Sequence, residues 1–253
     1  MRKLLAVAGA VALLAGCASG PKEDLAANAG AMAAALADST RPEADRARDA
    51  VRRPAELLAL AGVGPGDRVG DLIMGGGYLT RVLALAVGSS GRVYAYQPAE
   101  FVSFRAQYAT DQDTVAAAHP NVTPVRGPLR TLSFAEPLDA VITVQNYHDL
   151  HLKPMGEGTA AAVNKAVFQA LKPGGVYVIV DHSATKGAPL SVADSLHRID
   201  QERVVREVKA AGFKLESEHD MYRLPSDTRA VNVFDPAIRG KTDQFVLKFK
   251  KPA

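Results

Sequence analysis

The stretch VGDLIMGGGYLTRVLAL, residues 69–85, decides the fold. A short apolar run carries one acid, Asp71, three glycines follow, and apolar residues then recur at helical spacing. Val69, Leu72 and Ile73 predict a buried strand, and Gly75, Gly76 and Gly77 predict a tight turn. Leu79, Val82, Leu83 and Ala86 then form one face of a helix. Without Cβ atoms the turn can take positive φ and let a ligand approach the backbone. The free N–H groups opening the helix suit a polar or anionic group.

Outward from this unit, strand and helix signals alternate. Residues 68–72 predict the first strand and 92–96 the second, with helical segments at 100–108 and 111–118. Residues 122–125 predict the third strand and 138–144 the fourth. A helix at 159–171 is ended by Pro173-Gly174-Gly175, and 176–180 is a β-branched fifth strand. A long amphipathic helix follows at 192–211, closed by Gly212, and then two late strands at 214–219 and 243–249. Alternating strands and helices imply an α/β, doubly wound sheet. Seven strands are expected, mostly parallel, with one antiparallel strand near the edge, 243–249, inserted beside the fifth.

Residues 1–16 have the pattern of an export signal: Arg2 and Lys3, an apolar stretch at 4–14 too short to span a bilayer, then Leu14-Ala15-Gly16-Cys17. That ending resembles a lipobox and makes Cys17, the only cysteine, the expected lipid anchor to a membrane. The expected location is the periplasmic side of a Gram-negative-type cell envelope, with Ala18 pointing to the outer membrane. Residues 17–38 are alanine-rich and predict a tether with some helical tendency, and 39–253 the folded domain with a helical preface. The many charges of 39–53 are most simply a solvated face, the other possibility being that some close over the active cleft. Cleavage before Cys17 lowers the net charge from +3 to +1, and no basic tract is present, so no nucleic-acid partner is expected.

The order of elements over most of residues 57–250 resembles the class I S-adenosylmethionine-dependent methyltransferases. The resemblance rests on VGDLIMGGGYLTRVLA, GRVYAYQPAEF, LDAVITVQNYHDL and ALKPGGVYVIVDHS, of which the LKPGG run before an apolar strand is the most specific. LHRIDQERVVREVKAAGF and FDPAIRGKTDQFVLKFKKP are similar to a bacterial group of predicted methyltransferases. The resemblance implies a Rossmann-like fold and S-adenosylmethionine as cofactor. Asp71 matches the acid that orders the loop and holds the methionine amino group. Gly75, Gly76 and Gly77 match the cofactor turn, although Ile73 stands where a glycine is usual. Gln97 stands where the ribose-binding acid is expected, and Gly127-Pro128 where an adenine-binding acid is common. With both acids missing, weak cofactor binding is expected.

Ligands of open α/β sheets sit beyond the carboxyl ends of the strands. Those ends carry Asp71, Gln97, Asn146, His148, Asp149, Asp181 and His182. Asn146, His148, Asp181 and His182 are expected to share one cleft with the glycine loop. Asn146 is a further cofactor-binding candidate, and His148 or His182 the base for an oxygen or nitrogen acceptor. His151 and His197 extend the cluster, but their spacing matches no zinc pattern and no metal is expected. His197, Asp200 and Gln201 would share a helix face, as a pocket wall or a solvated stripe. The expected function is transfer of a methyl group to an unknown small-molecule substrate. Export away from the cytoplasm, where S-adenosylmethionine is made, leaves an alternative: an envelope-tethered small-molecule-binding protein that keeps the fold without catalysis. A third possibility is an envelope scaffold.

Overall fold

The computed structural model describes residues 21–253, with side chains from residue 26. The signal segment and Cys17 lie outside the described residues. The amino-terminal helices are α1 (Pro21–Ala37), α2 (Glu43–Arg46), α3 (Asp49–Arg52) and α4 (Pro54–Ala61). Then come β1 (Arg68–Leu72), α5 (Tyr78–Val87), β2 (Arg92–Pro98), α6 (Ala99–Phe104), α7 (Gln107–Ala118), β3 (Val122–Gly127) and β4 (Leu138–Val144). The chain ends with α8 (Thr159–Ala170), β5 (Leu171–His182), α9 (Val192–Leu196), α10 (Gln201–Ala210), β6 (Lys214–His219) and β7 (Gln244–Lys250).

The seven strands form one sheet in the order β3-β2-β1-β4-β5-β7-β6. The first five pair in parallel, and β7 runs antiparallel to both β5 and β6. The reversed strand therefore lies beside the fifth, as expected, with β6 outside it as the edge. Alternation along the central strands divides the core in two. Val69, Ile142, Val178 and Val180 face one side, where Leu57, Leu58 and Leu83 pack. Leu72, Val141, Tyr177 and Ile179 face the other, with Val163 and Val204. Pro54 opens α4 at its first turn, and Gly62 caps it in the left-handed conformation.

Three expectations are corrected. The alanine-rich segment is more than a tether: its helical tendency is realised as α1, which buries Met32 and Ala35 against the domain. Alanine is the strongest helix former, and its small side chain lets the helix lie close. At the nearest approach, a Cβ on Gly64 would stand 1.9 Å from Asn28 Oδ1. The charged preface is only in part a solvated face: Glu43, Arg46 and Arg48 are exposed, but other charges turn inward. Arg41 and Asp45 are buried, Arg41 donates to both oxygens of Asp49 at 2.7 and 2.6 Å, and Arg81 Nε donates to Asp45 at 2.6 Å. The helix expected at 192–211 is two helices. His197, at φ +52°, ends α9, and Ile199 pairs with Ser183 just after β5.

Candidate functional site

A cleft of about 810 Å³ opens at the carboxyl edge of β1, β4 and β5. That volume suits a nucleoside-sized ligand. Asp71, Gly75, Gly76, Asn146, His148 and His182 all line it, as the sequence predicts. Asp181 sits beneath it, fully buried.

The glycine loop is shaped from β1 onward. Ile73 takes φ +64°, a conformation costly for a β-branched residue, where a glycine would sit without strain. Its side chain is held by the core below. Gly75 is also at positive φ, with open space where a Cβ would be, so the backbone is free to meet a ligand. Gly77 is different. It does not line the cleft, and a Cβ there would stand 2.7 Å from Val115 Cγ2, so this glycine serves helix packing and the turn. Asp71 accepts a hydrogen bond from Thr80 Oγ1 at 2.6 Å. Burial pushes its carboxyl up to about 6, Thr80 opposing the shift.

Gln97 does not fill the ribose position. β2 continues to Pro98, so Gln97 is inside the strand, paired in register with Arg126. It is fully buried, away from the cleft, and neither amide atom has a partner among the described residues. The acid at this edge is Glu100, in the first turn of α6. It lines the cleft and accepts from the Leu129 N–H at 3.1 and 3.3 Å. Gly127 and Pro128 lie outside the cleft, their carbonyls accepting from the Tyr96 hydroxyl at 2.7 and 2.9 Å. Phe101, Phe104 and Tyr108 supply an aromatic wall instead. The run PAEF carries the signal for Glu100, three residues beyond the position where the acid is expected.

The imidazoles gather on the far wall. His148 begins a short 3-10 helix, His148–His151, directly after β4. Its backbone N–H donates to Asp181 Oδ2 at 2.6 Å and its Nδ1 to Oδ1 at 2.8 Å. Its Nε2 is 3.2 Å from Asp149 Oδ1. Burial alone would depress this histidine, but the Asp181 and Asp149 carboxylates outweigh it and raise it well above the ordinary value. Burial would likewise raise Asp149, yet His148 holds that carboxyl far below the usual range. His182 lies 5.9 Å from His148 between ring centroids, its Nδ1 2.8 Å from Thr242 Oγ1. Burial lowers it to about 4, despite Asp181, so it is neutral. Asn146 Nδ2 donates to Asp149 Oδ2 at 3.2 Å. His151 leaves the cluster for Glu207, 2.9 Å away, while His197 joins it. Asp200 caps α10, accepting from Glu202 N, and Gln201 lies off the cleft.

The preface contributes to the cleft wall, the second of the two arrangements its charges allow. Arg48 and Arg52 line it, their guanidinium groups 4.8 and 5.5 Å from the Tyr78 ring centroid. Phe234, from the connection before β7, completes the wall.

No protein-family model and no curated protein matches the chain. Solved structures do. The [4+2]-cyclase SpnF aligns over 92% of this chain and 95% of its own, with a TM-score of 0.60 at 16% identity. The glycopeptide N-methyltransferase MtfA, solved with S-adenosyl-L-methionine, aligns over 80% and 87% (TM-score 0.54, 14% identity). A SAM-dependent methyltransferase from Aquifex aeolicus aligns over 81% and 92% (TM-score 0.53, 18% identity). The fold is that of the class I methyltransferases.

Proposed function

We propose that the protein is an S-adenosylmethionine-dependent methyltransferase acting on a small molecule. The observation that carries this is a single cleft holding the glycine loop, the carboxylates of Asp71 and Glu100 and an imidazole cluster at the switch edge of a methyltransferase fold. The residues present fit the cofactor. Gly75 leaves its backbone uncovered, and Asp71 is a buried carboxylate whose charge a ligand ammonium would offset. Asp71 would hold the methionine end, Glu100 the ribose hydroxyls, and Phe101, Phe104 and Tyr108 the adenine. The bound sulfonium supplies an electrophilic methyl group.

The chain's own contribution is alignment and a proton acceptor. His182 fits that second role better than His148. It is neutral and Thr242 fixes its Nδ1, leaving Nε2 for the cleft that its ring lines. Both nitrogens of His148 already face carboxylates.

Calorimetric titration of the purified chain with S-adenosylmethionine and S-adenosylhomocysteine tests this. Micromolar binding is expected, since Glu100 supplies a charge at the edge where Gln97 supplies none. A hydrogen bond to a charged group contributes about 1.5–3 kcal/mol, so Glu100→Gln should weaken binding roughly tenfold or more. No heat from either ligand at millimolar concentration would favour the alternative, a tethered binding protein for another small molecule.

We also propose that Cys17 is lipidated and anchors the domain on the periplasmic side of an envelope membrane, the outer one by the residue that follows it, Ala18. Arg2, Lys3, the apolar stretch and Leu14–Cys17 support this. Intact-mass analysis of membrane fractions should find a diacylglyceryl-modified amino terminus at Cys17, lost in Cys17→Ser. A mature start elsewhere contradicts it.

A further inference from the structure

We propose that His148, Asp149 and His197 form a binding site for a divalent transition metal at the wall of the cleft. These three residues offer one ligand atom each, all within 4.8 Å of one another. His148 Nε2 lies 3.2 Å from Asp149 Oδ1, and His197 Nδ1 lies 3.9 Å from the same oxygen. Bonds of roughly 2.0–2.2 Å to a shared ion correspond to ligand–ligand edges of about 3.0–3.5 Å. The His148–Asp149 edge already has that length, and an inward turn of His197 shortens the other two toward it.

The atoms around the cluster favour the same occupant. His197 Nδ1 is buried, with no hydrogen-bond partner among the described residues, and 3.9 Å is beyond hydrogen-bond reach of Asp149. A buried ring nitrogen left open costs free energy unless something else binds it. His148 is oriented as metal-binding histidines are, donating Nδ1–H to a buried carboxylate, Asp181, so that Nε2 points at the cluster. Asn146 engages Asp149 Oδ2, so Oδ1, which is paired with His148 Nε2, faces the cluster; an ion bound there replaces the proton between these two atoms. Phe234 packs edge-on against the His197 ring at 4.7 Å and steadies it. Each ligand thus has a partner that positions it.

Two imidazoles and one carboxylate select borderline first-row ions such as Zn²⁺, Fe²⁺, Co²⁺ or Mn²⁺ over Mg²⁺ or Ca²⁺. All three ligands line the cleft, so the remaining coordination positions face its interior. An oxygen or sulfur of the acceptor would bind there, its proton made more acidic by the ion. That role rests on the methyl-transfer proposal; the site itself does not. The spacing His148-Asp149…His197 matches no short motif because its parts come from the loop after β4 and the end of α9.

The test is titration of the chelator-treated full chain, purified without a histidine tag, with CoCl₂ in the absence of S-adenosylmethionine. Expected are one equivalent of Co²⁺, visible d–d absorption bands, and a dissociation constant in the micromolar range or below. His197→Ala and His197→Gln should each weaken binding about 100-fold, and Asp149→Asn similarly. Asp181→Asn, which alters the orienting bond and leaves all three ligands in place, should weaken it 10- to 100-fold. His151→Ala, outside the cluster, should bind as wild type does. Thermal melts confirm that each variant is folded. No saturable binding below millimolar Co²⁺ overturns the site, as does binding that survives both His197 variants. Because the cofactor is absent from this experiment, its outcome is independent of whether S-adenosylmethionine binds.

Discussion

Replacing Asp181 with alanine is expected to cost about 3–5 kcal/mol of stability, as removal of one member of a buried ionic network does. The carboxylate is fully buried and accepts three hydrogen bonds: from His148 N, from His148 Nδ1 and from His182 N. Alanine leaves two backbone N–H groups and an imidazole without acceptors at a fully buried position. Each such group costs about 1–3 kcal/mol. Asp181→Asn keeps one oxygen and turns an amide toward a donor, so it should fall between alanine and wild type. For a domain of this size the alanine variant should melt roughly 10 °C lower. Equal melting of wild type and Asp181→Ala would show that the network does not hold the loop after β4 in place.

Asp181 was legible in sequence as an acid after an apolar strand; its three donors were not. The same division holds elsewhere. Period-2 and period-3.6 patterns located β1, β4 and β6 to the residue and β2, β3 and β7 to within two positions, because burial on the two sheet faces writes those patterns directly, whereas β5 begins at Leu171, five residues before the expected start. What they missed was decided by contacts far apart in the chain. Leu196, Ile199, Val204 and Val208 read as one helix face. Arg198, however, is buried and bonded to Asp227, and Ile199 accepts from Ala184 N, and these pull the backbone out of the helix at His197. The charges of 39–53 gave no sign of Arg81, their partner on α5. Gln97 was misplaced because β2 runs two residues beyond Tyr96, which turns its side chain into the protein. An aspartate at 97 would therefore bury an unpaired charge and destabilise the fold rather than restore a ribose contact. Glu100, at the start of α6, escaped notice for the same reason.

Asp71→Asn should make the protein more stable at neutral pH while removing a contact that its ligand needs. Burial raises the Asp71 carboxyl from an ordinary value of 3.8 to about 6. A carboxyl raised on folding binds its proton more tightly in the native state. Its favourable contribution is therefore complete below about pH 4 and is lost as the pH climbs through 6. Above that, the ionised group costs about 3 kcal/mol, because each tenfold gain in proton affinity on folding corresponds to about 1.36 kcal/mol. Asparagine is nearly the same shape, never ionises, and keeps an oxygen for Thr80 Oγ1. Chemical denaturation should find wild type and variant alike near pH 4, with the variant ahead by about 2–3 kcal/mol at pH 7.5. Loss of that pH dependence is what identifies Asp71 as the group responsible; parallel stability curves would assign it elsewhere. The carboxylate's presence at such a cost makes sense if a cation in the cleft offsets its charge. Under the proposed function that cation is the ammonium of S-adenosylmethionine. Saturating cofactor should then raise the wild-type melting temperature at pH 7.5 and leave Asp71→Asn nearly unmoved. An equal rise in both would mean that Asp71 only orders the loop through Thr80 and makes no contact with the ligand's charge.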